Sequence, residues 1–243
     1  MNLACLRVLL TAAAVVLASG AAHADLADAV QICLETPEKA GCEPHPDDGY
    51  VILKDYCGKT QHLLVATNDV TGIEDPQLLA GDTPAPNYWK AAWDAAARLF
   101  PNQDVMLVLN SKYGRSDNRF HIHIDLIRPG VRRELPDLGA EPHSVILYDR
   151  AYDARQVSSL DFDKDGKGLF QSLAKWIGPK GDMACQSLAV TGDGHGGFDV
   201  LNGHAVPCTQ GKPLLDNGNA DALEITDHGE PQNPNAQCRS NER

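Results

Sequence analysis

The chain has 243 residues, 43 % of them hydrophobic and 22 % charged, a balance that suits a globular fold and excludes wholesale disorder. Its formal net charge of -12 disfavours broad electrostatic attraction to nucleic acid or to an anionic membrane surface, so an anionic substrate has to be met by a local cluster of Arg and Lys. The length fits one large domain, with two domains as the alternative.

Residues 1–24 read as an export signal. Arg7 charges the n-region, residues 8–17 are apolar and Ala-rich, and Ala22-His23-Ala24 fits an A-x-A cleavage site. The expected location is periplasmic or secreted; the alternative is association with the inner membrane through an uncleaved N-terminal segment. Removal of the signal takes Cys5 with it and leaves Cys33, Cys42, Cys57, Cys185, Cys208 and Cys238. An even set in an exported chain suggests three disulfides. Cys33 and Cys42 close a short loop containing Pro37 and Gly41 and are paired first; the other four are left open.

Residues 25–34 form a short amphipathic segment, expected as a helix. Residues 50–54 and 62–67 are apolar runs flanking Cys57-Gly58-Lys59, which suggests a β-hairpin. Residues 68–86 are loop-like, broken by Pro76, Gly81, Pro84 and Pro86. Asn87 can cap a helix over the following residues, with Tyr88, Ala92, Trp93, Ala96 and Leu99 near helical spacing and Pro101 as the stop. Residues 105–109 read as a buried strand, and a loop over 112–118 returns the chain into a second strand. That strand alternates: His121, His123 and Asp125 share one parity, Ile122, Ile124 and Leu126 the other. Further on, residues 153–160 and 168–177 are expected as helices, and 187–191 and 197–201 as a hairpin around Gly192-Asp193-Gly194-His195-Gly196. From residue 207 onward the chain is rich in Pro, Asn, Gly and Asp and is expected to be irregular, tied down through Cys208 or Cys238.

Two imidazoles and a carboxylate on one strand face allow three readings. The pair is a polar strand face, or His121, His123 and Asp125 hold zinc or copper, or one imidazole is a nucleophile towards phosphorus. Taken alone, the first two rank above the third. Two other motifs are set aside. Asp161-x-Asp163-x-Asp165-Gly166 opens like a calcium loop but has Ser172 where a bidentate Glu belongs. Gly114-x-Ser116-x-Asn118 resembles a serine elbow but precedes a strand rather than a helix.

The upstream context reverses the ranking. The segment resembles the histidine-triad (HIT) hydrolases, whose strand reads His-φ-His-φ-His, with an asparagine eleven residues before the first histidine, as Asn110 stands to His121. More narrowly, Asn110-Ser111-Lys112-x-Gly114-Arg115-Ser116-x-Asn118-x-Phe120-His121-Ile122-His123-Ile124-x-x-Ile127-Arg128-Pro129 resembles the CDP-diacylglycerol pyrophosphatase family. So do Cys33 to Cys42, Gly49 to Asp55, His62 to Val65 and Pro86 to Trp93.

The resemblance implies an α+β fold: a HIT-like antiparallel sheet with packed helices and a disulfide-tied C-terminal extension. Residues 25–243 then form one domain, with a core over about 45–133 and an elaboration over 134–243. It implies hydrolysis of CDP-diacylglycerol to CMP and phosphatidate through a covalent histidine–CMP intermediate, with no cofactor. His123 is the nucleophile and His121 supports it, while Asn110 and Asn118 bind phosphate or ribose oxygens. Asp125 stands where the wider HIT family has its third histidine, and it is expected to accept a hydrogen bond from a neighbouring imidazole. Lys112 and Arg115, in the densest basic segment of an acidic chain, are the candidates for neutralising the pyrophosphate. Arg119, of the same parity as His121, is a lesser candidate. The partner is a lipid substrate at a membrane surface. The competing readings are a HIT-type hydrolase of soluble nucleotide pyrophosphates and a non-enzymatic periplasmic metal-binding protein.

Overall fold

A computed structural model describes residues 25–55, 60–80, 86–135, 138–139, 141–163, 167–208, 220 and 223–224. Residues 1–24, expected as an export signal, and Cys57 and Cys238 lie outside the described residues. Nine described strands form one sheet: β1 (Glu43–His45), β2 (Tyr50–Lys54), β3 (His62–Ala66), β4 (Val105–Leu109), β5 (His121–Leu126), β6 (His143–Leu147), β7 (Arg150–Val157), β8 (Gln186–Gly192) and β9 (Phe198–His204). Their order is β1-β2-β3-β5-β4-β8-β9-β7-β6, and each pairing is antiparallel. The helices are α1 (Leu26–Glu35), the single turn α2 (Pro37–Ala40), α3 (Tyr88–Leu99), α4 (Pro129–Glu134) and α5 (Leu169–Ile177). The fold is α+β, with an antiparallel sheet that runs through both halves of the chain. None of the described helices is long and apolar enough to cross a membrane.

Local chemistry sets several of these elements. Asp25 caps α1 by accepting from the Ala27 amide, and Asn87 caps α3 by accepting from the Lys90 amide, each satisfying a donor that the helix start leaves open. Gly41 ends α2 at φ 61°, a left-handed position that costs glycine least. Both expected hairpins form, β2 with β3 and β8 with β9. Of the expected helix over 153–160, residues 153–157 instead belong to β7 and 158–160 follow it outside the strand. Its residues are adequate helix formers, but β7 is held by β6 on one side and β9 on the other, and tertiary pairing overrides propensity.

One sheet face is covered by α3 and α5. Tyr88, Trp89 and Ala92 of α3 and Phe170 and Leu173 of α5 pack on Leu64, Leu107, Ile122, Ile124 and Leu188 in the main core. The opposite face carries two separate apolar clusters. Under α1, Val30 and Cys33 meet Val51, Leu63 and Val65 of β2 and β3. Farther along, Met106 and Val108 of β4 join Val131, Leu147, Tyr152 and Leu201, and the tail residues Ala220 and Leu223. Strand β5 runs between β3 and β4, so its second face lies at the seam between these clusters. The site face falls in that seam.

Two disulfides among the described residues brace the ends. Cys33–Cys42 joins α1 to the segment entering β1, as expected, with Cα atoms 6.0 Å apart. Cys185–Cys208, whose pairing the sequence left open, ties the segment after β9 to the start of β8 across 5.7 Å.

Candidate active site

The period of a strand puts Ile122 and Ile124 in the main core and His121, His123 and Asp125 on the other face. Across the sheet, His121 stands opposite Val65, His123 is flanked by Leu63 and Val108, and Asp125 stands opposite Met106. These apolar neighbours fix the rings between two walls. The imidazole centroids of His121 and His123 are 5.2 Å apart. His121 Nδ1 lies 2.7 Å from the Arg119 carbonyl; a carbonyl only accepts, so Nδ1 carries the hydrogen and a neutral ring presents its lone pair at Nε2.

His123 is the most accessible of the three, with a side chain 12 % exposed, against residue values of 6 % for His121 and 1 % for Asp125. Its Nδ1 lies 2.8 Å from the Gln61 amide nitrogen and 3.6 Å from Glu224 Oε2, and the same amide nitrogen donates to Glu224 Oε2 at 3.1 Å. Gln61 and Glu224 escaped sequence reasoning. Gln61 precedes β3 in an unremarkable polar stretch, and Glu224 sits in a tail read as irregular. The signal in the sequence was slight: Ala220, Ala222, Leu223 and Ile225 are apolar positions in a tail rich in Pro, Asn, Gly and Asp.

Asp125 differs from expectation. Its Oδ1 accepts from the Thr60 hydroxyl and the Leu126 amide rather than from an imidazole, and its Oδ2 has no partner among the described residues. Burial pushes its carboxyl above the ordinary range, against the smaller pull of Thr60, Leu126, Lys54 and His123. The nearby Asp117 is held below its ordinary range: burial raises it, but bonds from the Leu26 and Arg119 amides, with Asp25 and the His121 ring, outweigh that.

The remaining candidates separate. Asn110 is buried at the end of β4, and its Oδ1 accepts from the Ala220 amide at 2.9 Å, so it anchors the tail. Arg115 is engaged by Glu74 and Asn118. Its fork is bidentate on Glu74, at 2.8 and 2.6 Å, and it also donates to Asn118 Oδ1 at 3.3 Å. It lies over Gly72, where any Cβ would overlap the guanidinium. Lys112 is exposed; its amide donates to the Ala184 carbonyl at 2.9 Å, pinning the loop to the segment before β8. Arg119 turns to the carbonyls of Ala66, Thr67 and Asn68, closing the end of β3. Arg128 stacks on Tyr148 at 4.8 Å, a structural contact.

As metal ligands, the donor atoms of His121, His123 and Asp125 do not converge. The described donors that do are Asp182, Cys185 and Cys208, and the two sulfurs are joined in the disulfide. What the strand face offers is an accessible imidazole backed by hydrogen-bonding groups, an arrangement suited to nucleophilic attack.

A sequence model of the family described as CDP-diacylglycerol pyrophosphatase matches residues 21–229. A Yersinia pestis protein named CDP-diacylglycerol pyrophosphatase is 32 % identical over 196 residues, covering 74 % of this chain and 71 % of that protein. Among solved structures, yeast Ap4A phosphorylase Apa2 in complex with AMP aligns at a TM-score of 0.43 and 13 % identity, over 79 % of this chain and 70 % of that one. Another structure of yeast Ap4A phosphorylase Apa2 aligns at 0.43 and 15 % identity, over 73 % of this chain and 63 % of that one.

Proposed function

The chain belongs to the CDP-diacylglycerol pyrophosphatase family, and on that premise we propose that it hydrolyses CDP-diacylglycerol to CMP and phosphatidate with His123 as the nucleophile. The Nε2 lone pair attacks the cytidylyl phosphorus, and the bond from that phosphorus to the bridging oxygen breaks as phosphatidate leaves. Water then attacks the same phosphorus, the N–P bond breaks, and CMP departs. Splitting the reaction in this way replaces one hard displacement by two easier ones. The observation that carries the assignment is the accessibility of His123 on a strand face whose other members are buried.

The surroundings give each neighbour a part. His121, fixed through Nδ1 by the Arg119 carbonyl, stands at the ring of His123. Phosphatidate leaves as a phosphate monoester with a second pKa of roughly 6, so it needs little protonation at neutral pH. Asp125 therefore need not replace a third histidine as an acid. Burial also favours its uncharged form, which lessens repulsion of the pyrophosphate. Arg115 reaches substrate by exchanging Glu74 for phosphate oxygens, a swap between two bidentate anions. Lys112 is a point charge on the same loop.

Comparing kcat/KM for CDP-diacylglycerol in mixed micelles with that for CDP-choline and dinucleoside polyphosphates tests the reading. The lipid is expected to be the preferred substrate. Preference for the soluble compounds overturns it, and so does full activity in His123→Ala.

A further inference from the structure

Glu224 is fully buried, and a short tail segment delivers it to the site. Ile127 pairs with Glu224 in an isolated antiparallel bridge, the Arg128 amide donates to the Leu223 carbonyl at 3.0 Å, and the Ala220 amide donates to Asn110 at 2.9 Å. Three anchors over five residues hold one carboxylate 3.6 Å from Nδ1 of one imidazole. Burying a carboxylate is costly unless it meets a donor or a cation, and His123 is a group within reach that can become one.

Deepening the reading above, on which it rests, we propose that Glu224 is the positioning residue for His123: it holds the ring's hydrogen on Nδ1 for attack and balances the charge of the phosphorylated ring, while the Gln61 amide competes for the same ring nitrogen. With the Gln61 N–H against Nδ1, a neutral ring accepts there and keeps its hydrogen on Nε2. Attack requires the opposite tautomer. When Gln61 turns aside, Nδ1–H meets the Glu224 carboxylate and the lone pair is left on Nε2. That pair forms the N–P bond, and the P–O bond to phosphatidate breaks with its electrons on oxygen. The ring is then an N-phosphoryl imidazolium facing the carboxylate. Water attack returns the N–P pair to Nε2, one water proton passes to solvent, and the ring is neutral again. Among the described residues, His121 and Asp125 are the other titratable groups shown to act on this ring; β3 and β4 present Leu63 and Val108.

The test combines kinetics with the ring-nitrogen resonances of histidine-labelled protein, which report at fixed pH which nitrogen carries hydrogen. In Glu224→Gln, kcat is expected to fall on the order of a hundredfold, the scale of a lost electrostatic stabiliser. KM should stay within about threefold, as for an interaction made mainly in the transition state. The His123 population with hydrogen on Nδ1 should shrink in the same variant. Glu224→Asp keeps the charge and should retain much of that population and of kcat. Gln61→Leu removes the competing amide and should enlarge the population, which keeps the proposal testable if Glu224→Gln does not fold. Unchanged resonances in these variants, or wild-type kcat in Glu224→Gln, overturn the role of Glu224. A wild-type protein that leaves CDP-diacylglycerol intact while the resonances shift as stated overturns the substrate reading alone.

Discussion

Asp125 is a carboxyl group whose environment works against its charge. Its folded-state value is raised, chiefly by burial, so the folded chain keeps the proton to higher pH than the unfolded chain does. The associated stability is therefore complete below the ordinary value of 3.8 and is lost as pH rises through the folded value. Asp125→Asn removes this dependence, so the variant should gain stability relative to wild type as pH rises from 4 towards neutrality, read by urea denaturation across that range. A constant difference would contradict the assignment. The same variant tests the chemistry. A general acid contributes about a hundredfold or more, so a loss of kcat within about tenfold is expected if phosphatidate leaves unaided. A much larger loss would make Asp125 the proton donor.

Among the elements, the loop from Asn110 to Phe120 shows what pattern can and cannot reveal. The alternation in β5 was legible because side-chain direction in a strand depends only on parity, and so were both hairpins. The partners of Arg115 were not legible, because Glu74 lies 41 residues away and only the folded chain brings it near. Burial raises Glu74, but the hydrogen bond and charge of Arg115 more than offset it and leave its carboxyl below the ordinary range. Arg115→Ala should therefore cost stability as well as turnover, by about 3 kcal/mol for a largely buried charge left without its partner. The deficit should diminish as acid neutralises Glu74, and denaturation at pH 7 and pH 4 checks it. Ile122→Ala, on the opposite face of β5, should cost about 2–5 kcal/mol through its cavity. Strand β7 was misread because its pairing partners, not its own residues, decide its conformation.

Over the whole molecule, the site depends on segments far apart in sequence: a central strand, a turn before β3 and a tail returning from beyond β9. The two described disulfides act on different parts of this assembly. Each should contribute about 3 kcal/mol through the loop it closes. Replacing Cys185 and Cys208 with alanine should also lower kcat, because the chain leaving Cys208 leads to the tail that holds Glu224. Replacing Cys33 and Cys42 should lower thermal stability to a similar degree and leave kcat nearly unchanged. Equal kinetic effects would deny the tail its part. We propose that the N-terminal segment directs export to an oxidising compartment; non-reducing mass mapping should then find Cys33 joined to Cys42 and no free thiol.

The central claim is that His123 becomes covalently bonded to CMP. A phosphoramidate is stable in base and labile in acid, so turnover of CDP-diacylglycerol quenched rapidly in base preserves it. Mass analysis should then find one CMP on the peptide containing His123, with the adduct absent in His123→Ala. A single turnover in heavy-oxygen water should place the label in CMP and none in phosphatidate. An unmodified His123 peptide during active turnover, or label in phosphatidate, would contradict the account.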